Sequence, residues 1–341
     1  MQRTPLVTIG IVALNRAWII DKVLLSIQTQ VYSHDSLFIL FVDGESKDGT
    51  ADLAKQKLSQ SDFKGYEVIV QKCTIPEGRN ICLERMQGEL LLFWDSDVIM
   101  EPNAVSELVE ALQTEKADLM TSAVRHVTVS STDEVAGKLK EAINLEKRAP
   151  CVEIRTATMG HSLLSKRLAS DVSFDTDLTT QEDIDFCLRA REKGFKILLN
   201  PNVTVLDVNT FKVPYSDIYV DMSIKDGLRG VRKKSRAQVY AYDFSSGKRT
   251  VVHFLSSYKR YLFYMLYIPT IAITVYGVFA RSIFLIMVFP VYALLYIILQ
   301  IRRRGLARGL KAFVLSILVG IPDAFWVMYY LIRSLSKNQK K

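Results

Sequence analysis

No Cys-x-x-Cys spacing occurs in this 341-residue chain. Its four cysteines, Cys73, Cys82, Cys151 and Cys187, therefore offer neither a zinc ribbon nor a redox couple, and they read as reduced, mostly packed thiols of a cytosolic domain. No charged segment followed by a short apolar run opens the chain, so no signal peptide is expected and the front of the protein should stay in the cytosol. Acid is scarce in the last third: residues 225–341 hold 20 Lys and Arg against Asp226, Asp243 and Asp323. That region carries +17, residues 1–224 carry −9, and the overall +8 conceals the split. Such basicity often signals nucleic acid. Here the positive residues flank apolar stretches, so lipid is the expected partner and nucleic acid is not.

Residues 261–280 and 282–301 are each 20 residues without a charge, separated by Arg281, and each is long enough to cross a bilayer as a helix. Lys259 and Arg260 before the first, and Arg302, Arg303, Arg304, Arg308 and Lys311 after the second, fall on one side, the cytoplasmic one by the positive-inside rule. A third stretch, 312–332, is interrupted by Gly320, Pro322 and Asp323 and predicts a kinked span, with a re-entrant piece as the alternative. Gly277 and Ala280 are small enough for helix pairing, including pairing in a homo-oligomer. Ahead of the spans, Val220, Ile224, Leu228 and Val231 recur at helical spacing beside Arg229, Arg232, Lys233, Lys234 and Arg236. This predicts an amphipathic helix lying on anionic lipid. The expected organisation is an α/β domain over 1–212, a juxtamembrane segment over 213–258, and a transmembrane region of about three helices over 259–341.

Strand-like and helix-like segments alternate through the front. Strands are expected at 6–13, 37–42, 66–71, 89–94 and 119–124, with helices near 19–27, 50–60, 77–87, 103–114 and 184–193. Strands about thirty residues apart with helices between them predict a mainly parallel, Rossmann-like sheet. Ligands in such sheets sit beyond the carboxyl ends of the strands. The apolar run Leu90-Leu91-Leu92-Phe93-Trp94 ends at one of these positions in Asp95-Ser96-Asp97, paired hard oxygens suited to Mg²⁺ or Mn²⁺ holding a diphosphate.

Other strand ends carry companions: Ala13-Leu14-Asn15-Arg16, then Asp43-Gly44-Glu45-Ser46, then Glu77-Gly78-Arg79-Asn80 before the fourth strand, and much later Phe174-Asp175 and Gln181-Glu182-Asp183. This set, in this order, resembles the family 2 inverting glycosyltransferases of the GT-A fold over roughly residues 5–210. The resemblance implies a nucleotide-sugar site formed by Ala13, Asn15, Asp43, Arg79, Asp95, Gly160 and His161. It implies Asp97, with Asp95, as metal ligands, Asp183 as general base, and Glu182 as its orienting neighbour. It also implies a metal-dependent transfer of one sugar from a nucleotide-diphosphate sugar with inversion, and no covalent intermediate.

Two departures stand out. Gly78 replaces the family's Ala in its Ala-Arg-Asn element, and Asp207 stands six residues after Pro201, where many relatives carry a metal-ligating His and where an Asp is expected as the third metal ligand. None of Trp18, Trp94 and Trp326 follows an Arg, so the Gln-x-x-Arg-Trp motif of processive synthases is absent. The expected function is a multi-pass membrane enzyme with a cytoplasmic catalytic domain, adding a sugar to a hydroxyl of a lipid-linked or membrane-proximal acceptor. Synthesis of a polyprenyl-phosphate sugar and a non-catalytic sugar-nucleotide-binding scaffold are the alternatives.

Overall fold

The strand β2, Leu37–Asp43, is buried along its whole length. Its side chains alternate, as strand geometry requires: Leu37, Ile39 and Phe41 enter one hydrophobic core, while Phe38, Leu40 and Val42 enter a second on the opposite face. Both of its edges are occupied by parallel neighbours, β1 (Val7–Ala13) and β3 (Gly65–Val70). A strand covered on both faces cannot show polar alternation, which is why this run is continuously apolar. The computed structural model describes residues 4–143, 149–178, 180–210, 225, 228, 230–242 and 259–338. They fall into two units, Met1–Tyr215 and Ser216–Lys341.

The first unit is a mixed α/β sheet with strands in the order β3-β2-β1-β4-β8-β6-β9-β5, and β7 (Val152–Glu153) also pairs with β9. The half formed by β3, β2, β1 and β4 (Leu90–Trp94) is parallel throughout. Successive strands run outward from β1 in both directions, so the ends of β2, β1 and β4 lie side by side at a topological switch point. Helices α1 (Ile20–Gln28), α2 (Thr50–Leu58), α3 (Ile75–Arg85) and α4 (Ala104–Thr114) follow β1, β2, β3 and β5 (Val98–Met100). Shorter α5 (Val135–Ile143) and α6 (Lys166–Asp171) precede α7 (Glu182–Glu192).

Three features differ from the sequence expectation. Val98–Met100 forms β5 directly after Asp97 and pairs antiparallel with β9 (Ile197–Thr210) at the far end of the sheet. The strand expected at 119–124 runs on as β6, Leu119–Val129, parallel to β9 across a register shift at Ser122/Ala123. Its outer half is only partly buried, so it lacks the apolar run that marked the others. Finally β8 (His161–Ser165) inserts antiparallel between β4 and β6, which makes the sheet mixed.

The second unit is helical. Among the described residues two stretches are long and apolar enough to cross a membrane, Ile283–Arg303 and Leu306–Ser334, and Leu266–Phe279 is a shorter apolar helix. Where a kink is expected, just before Pro322, a π-helical turn, Ser316–Gly320, lies between helices Leu306–Leu315 and Ile321–Asn338. A proline cannot donate to the carbonyl four residues back and crowds it, and a wider turn accommodates both defects. Gly277 is used within the chain: a Cβ there would lie 2.7 Å from the Ile286 backbone nitrogen.

Of the expected amphipathic segment, Val220, Ile224 and Arg229 lie outside the described residues. The described part, Val231–Tyr240, packs against the Ile321–Asn338 helix rather than presenting a bare apolar stripe. Arg232 lies 5.0 Å over the Trp326 ring and donates from Nε to the Tyr330 hydroxyl at 3.1 Å. The Ser235 hydroxyl donates to Asp323 at 2.7 Å.

The glycine at position 78 has a local cause. In α3 it faces β1, and a Cβ on it would stand 2.7 Å from Val12 Cγ1. Gly78→Ala is expected to destabilise the first unit by about 1–3 kcal/mol through overpacking. The loss should appear as a lower thermal midpoint and be largely recovered in Gly78→Ala/Val12→Ala, whereas an unchanged midpoint in the single variant would show that the two faces do not touch.

Candidate active site

Helix α3 begins with a capping box. The Thr74 backbone N–H and hydroxyl donate to the Glu77 carboxylate at 2.7 and 2.8 Å, and Pro76 occupies the first turn. This start aims Arg79, 5% exposed, beneath the end of β4. Its Nη1 donates to Glu182 Oε1 at 2.9 Å and its Nη2 to Asp95 Oδ1 at 3.2 Å. The guanidinium carbon lies 5.6 Å from the Phe174 ring centroid and 6.0 Å from that of Phe93, and Phe174 stacks on Phe186 at 4.5 Å. Asn80 locks the approach: its Nδ2 donates to the Phe174 carbonyl and its Oδ1 accepts from the Phe174 N–H, at 2.9 and 2.7 Å. One turn of α3 thereby joins the end of β4 to the segment leading into α7. Where the sequence suggested Arg79 for the nucleotide, both its Nη groups are bonded to carboxylates, and its buried Nε has no partner.

Helix α7 opens with Glu182, Asp183 and Asp185 in its first turn, where the helix dipole favours negative charge. Gln181 before them adopts a left-handed conformation, φ 67°. Asp183 is half-buried. Burial foremost, and then the neighbouring Glu182 charge, push its carboxyl up to about 6, against the pull of Arg79.

The loops after β1, β2 and β4 form the rest. Asp43 is wholly buried; its Oδ1 accepts the Ser46 N–H at 2.7 Å, and its Oδ2 has no partner. A buried carboxylate oxygen left unbonded is costly and calls for an occupant. Beside it lies a cleft of about 340 Å³ lined by Gln71, Cys73, Glu77, Asn80 and Thr176 among others. Ala13, opposite Asp43 in register, accepts the Gly44 N–H at 2.8 Å. Asn15, at φ 53°, accepts the Lys47 N–H with its side chain and donates its own N–H to the Ser46 hydroxyl. Asp97 Oδ2 lies 3.4 Å from Arg16 Nη2, and its backbone carbonyl accepts the Val208 N–H at 2.9 Å. Burial first, then Asp95, push Asp97 up to about 6; Asp207 adds to this and Arg16 opposes it.

Gly160 and His161 sit behind Asp95. The Gly160 carbonyl accepts the Asp95 N–H at 2.8 Å, and a Cβ at Gly160 would fall on the Asp95 carboxylate. Both ring nitrogens of His161 meet hydroxyls: Ser122 at 2.9 Å and Thr121 at 3.1 Å on Nδ1, Thr158 at 2.6 Å on Nε2. Burial lowers its imidazole to about 4, so it is neutral at physiological pH and acts as a wedge behind the site. Asp207 faces Val98 across β5 and β9, but its Oδ2 lies 2.9 Å from His126 Nδ1. Among the described residues no three His, Cys, Asp or Glu side chains lie close enough to hold an ion by themselves. Asp207, the third ligand expected beside Asp95 and Asp97, is paired with His126.

Sequence reasoning gave no role to Arg16, Asn80, His126 or Gln181. Arg16 and Asn80 stood inside quoted motifs, and their place beside strand ends was the available signal. His126 lies beyond the point where β6 was expected to stop.

The mostly parallel, mixed sheet with this switch point is a GT-A-like core. Residues 8–172 match the family described as Glycosyl transferase family 2. Glycosyltransferase AglE of Haloferax volcanii is 23% identical over 196 residues, 57% of this chain and 64% of the relative. The dolichyl N-acetyl-alpha-D-glucosaminyl phosphate 3-beta-D-2,3-diacetamido-2,3-dideoxy-beta-D-glucuronosyltransferase of Methanococcus voltae is 21% identical over 208 residues, 58% and 65% of the two chains. The chain thus spans a little under two thirds of the length of these curated relatives. Two solved structures share the fold. The mannosyltransferase PcManGT from Pyrobaculum calidifontis, in complex with GDP-Man and Mn²⁺, is 15% identical with a TM-score of 0.51, over 99% of this chain and 88% of its own. S. aureus TarS in complex with UDP-GlcNAc is 14% identical with a TM-score of 0.54, over 95% and 91%.

A carboxyl raised to about 6 in the folded protein, against an ordinary value near 4, binds more protons folded than unfolded between those pH values. Asp183 therefore costs stability above pH 6, and the cost is relieved as pH falls. Asp183→Asn should raise the thermal midpoint at pH 8 by a few degrees, at about 2–4 °C per kcal/mol for a domain of this size. The gain should shrink towards pH 5; an equal gain at both values would exclude ionisation as its cause.

Proposed function

We propose that this protein is a membrane-associated inverting glycosyltransferase that moves a sugar from a nucleotide-diphosphate sugar to a hydroxyl of a lipid-linked acceptor. The observation that carries the reading is the Arg79 bridge, which holds Asp95, at the end of β4, and Glu182, beside Asp183 on α7, on one guanidinium. The nucleoside of the donor would use the unbonded Oδ2 of Asp43, since ribose hydroxyls or a base N–H are the donors that atom lacks. Asp97 and Asp95, together with diphosphate oxygens and water, would hold a divalent cation, Mg²⁺ or Mn²⁺, which supplies positive charge to the leaving diphosphate. The surplus of negative charge around Asp97 suits such an ion, and hard cations of this kind are commonly held by one or two carboxylates plus substrate phosphate.

Asp183 takes the proton from the attacking hydroxyl. A base raised to about 6 is mostly ionised at neutral pH and still basic enough to accept that proton. Glu182 is bound to Arg79 and holds the pair in place. Gly160 supports the carboxylate of Asp95 from behind. The hydroxyl acceptor is favoured because an ionised phosphate would need no base. The names of the archaeal relatives, one of them a dolichyl-linked transferase, support a lipid-linked acceptor. The two long apolar helices that follow in the chain support a membrane setting, and the basic residues flanking the apolar stretches favour a catalytic domain in the cytoplasm.

The test is a panel of radiolabelled nucleotide sugars with Mn²⁺ and a membrane lipid extract, counting label in the organic phase. One donor should label a lipid product. Asp183→Asn should reduce turnover about 10²–10⁴-fold, and kcat/KM should fall as pH drops through 6. An active Asp183→Asn enzyme would indicate a phosphate acceptor, and tight nucleotide binding with no turnover would indicate a scaffold.

A further inference from the structure

We propose that Arg16 is a diphosphate-binding residue, the chain's own cation for the leaving group. This rests on the nucleotide-sugar reading above. In the sheet β1 lies between β2 and β4. Asp43 ends β2 and stands for the nucleoside end of the donor; Asp97 follows β4 and stands for the cation end. A diphosphate joining the two must pass over the end of β1, and the loop there carries Arg16.

The main chain of that loop is fixed without help from the Arg16 side chain. The Arg16 N–H donates to the Thr50 hydroxyl at 2.8 Å, and the Ala17 N–H to Asp48 at 3.0 Å. The Arg16 carbonyl accepts the N–H groups of Ile19 and Ile20 at the start of α1. Asn15 on the other side is tied to Ser46 and Lys47 of the β2–α2 loop. The guanidinium, by contrast, is under-used. It makes one long contact to Asp97, 3.4 Å and single, with marginal bonds from Nη1 to the Leu14 and Asn15 carbonyls at 3.3 and 3.5 Å. Its buried Nε has no partner, and about a third of the side chain is open to solvent.

A planar fork with spare donors, at the crossing point of a diphosphate, matches phosphate oxygens in pairs. When a cation takes up the Asp97 carboxylate, the Arg16 fork is left for the phosphate. Arg79 cannot do this while both its Nη groups hold carboxylates.

The experiment uses the full-length protein in detergent with Mn²⁺, titrated by calorimetry with UDP, GDP, UMP and GMP. For the diphosphate that wild type binds, Arg16→Met should weaken affinity about 10–100-fold, the size of one or two charge-assisted hydrogen bonds. The matching monophosphate should lose less than about three-fold, a loss too small for one such bond. Arg16→Lys should fall between the two. Mn²⁺ binding alone, read by electron paramagnetic resonance, should not weaken, because Asp97 loses a competitor. Equal losses for diphosphate and monophosphate, or none for either, would overturn the assignment of Arg16 while leaving the wider reading intact. A wild-type protein that binds neither UDP nor GDP would remove the nucleotide-sugar reading itself, and the Arg16 assignment with it.

Discussion

The site depends on one buried cation shared by two carboxylates. Arg79 stands between Asp95 and Glu182, which are far apart in sequence. A guanidinium is suited to this because it stays charged on burial and offers separate N–H groups in a fixed plane. An ion pair in such a place is a doubtful source of net stability, since removing three charges from water costs several kcal/mol per ion before they attract. It does fix geometry. The aromatic faces of Phe93 and Phe174 add a softer partner for the same charge, and Asn80 holds the backbone that carries Phe174. Lengthening either end of this bridge would separate Asp95 from the acid pair on α7.

Around that bridge the charge is deliberately unequal. Asp95, Asp97 and Asp207 repel one another; Arg16 opposes the charge of Asp97, and His126 and then Arg16 oppose that of Asp207. A protein tuned only for stability would neutralise these carboxylates or replace them. On the proposed function, retaining them partly buried would concentrate field where charge develops on a departing group, with some stability lost for it. The β4–β5 connection limits the strain: Asp97 is pinned through its carbonyl to Val208, and Asp95 through its N–H to Gly160. The backbone beneath both carboxylates is thus held by main-chain bonds.

Much of this was legible in the sequence because parallel strands have a strong signature. The continuous apolar runs at 37–42 and 90–94 located the centre of the sheet, and the acids just past them located its mouth. Glu182-Asp183 was legible both as chemistry and as the acidic start of a helix, whereas the left-handed backbone by which Gln181 enters that helix is one that propensity does not foresee. What stayed hidden was tertiary. The edge strand Val98–Met100 is too short to announce itself, and the outer half of β6 is half-exposed with mixed residues. The engagement of Asp207 by His126 is a cross-strand pairing between residues 81 positions apart, visible only once the register of β6 and β9 is known. Gly78 read as a departure from a motif, and its reason lay in Val12 on another element. In the helical unit, hydropathy found the apolar segments but not their partners, because lipid and protein contacts look alike in composition.

The π-helical turn at Ser316–Gly320 has an effect on the helix that contains it. Before the turn, Gly309 sits against the backbone of Ile301; within it, Ser316 meets the Tyr267 hydroxyl and Gly320 the ring of Tyr264; after it, Ala324, Val327 and Tyr330 cluster with Val239. An α-helix advances about 100° per residue, so one residue of surplus winding rotates everything downstream by about that angle. The surplus acts as a phase shifter, letting a single rod turn one flank to the 288–304 helix and another to 231–240. An unbroken α-helix with the same side chains would be in phase with only one of them.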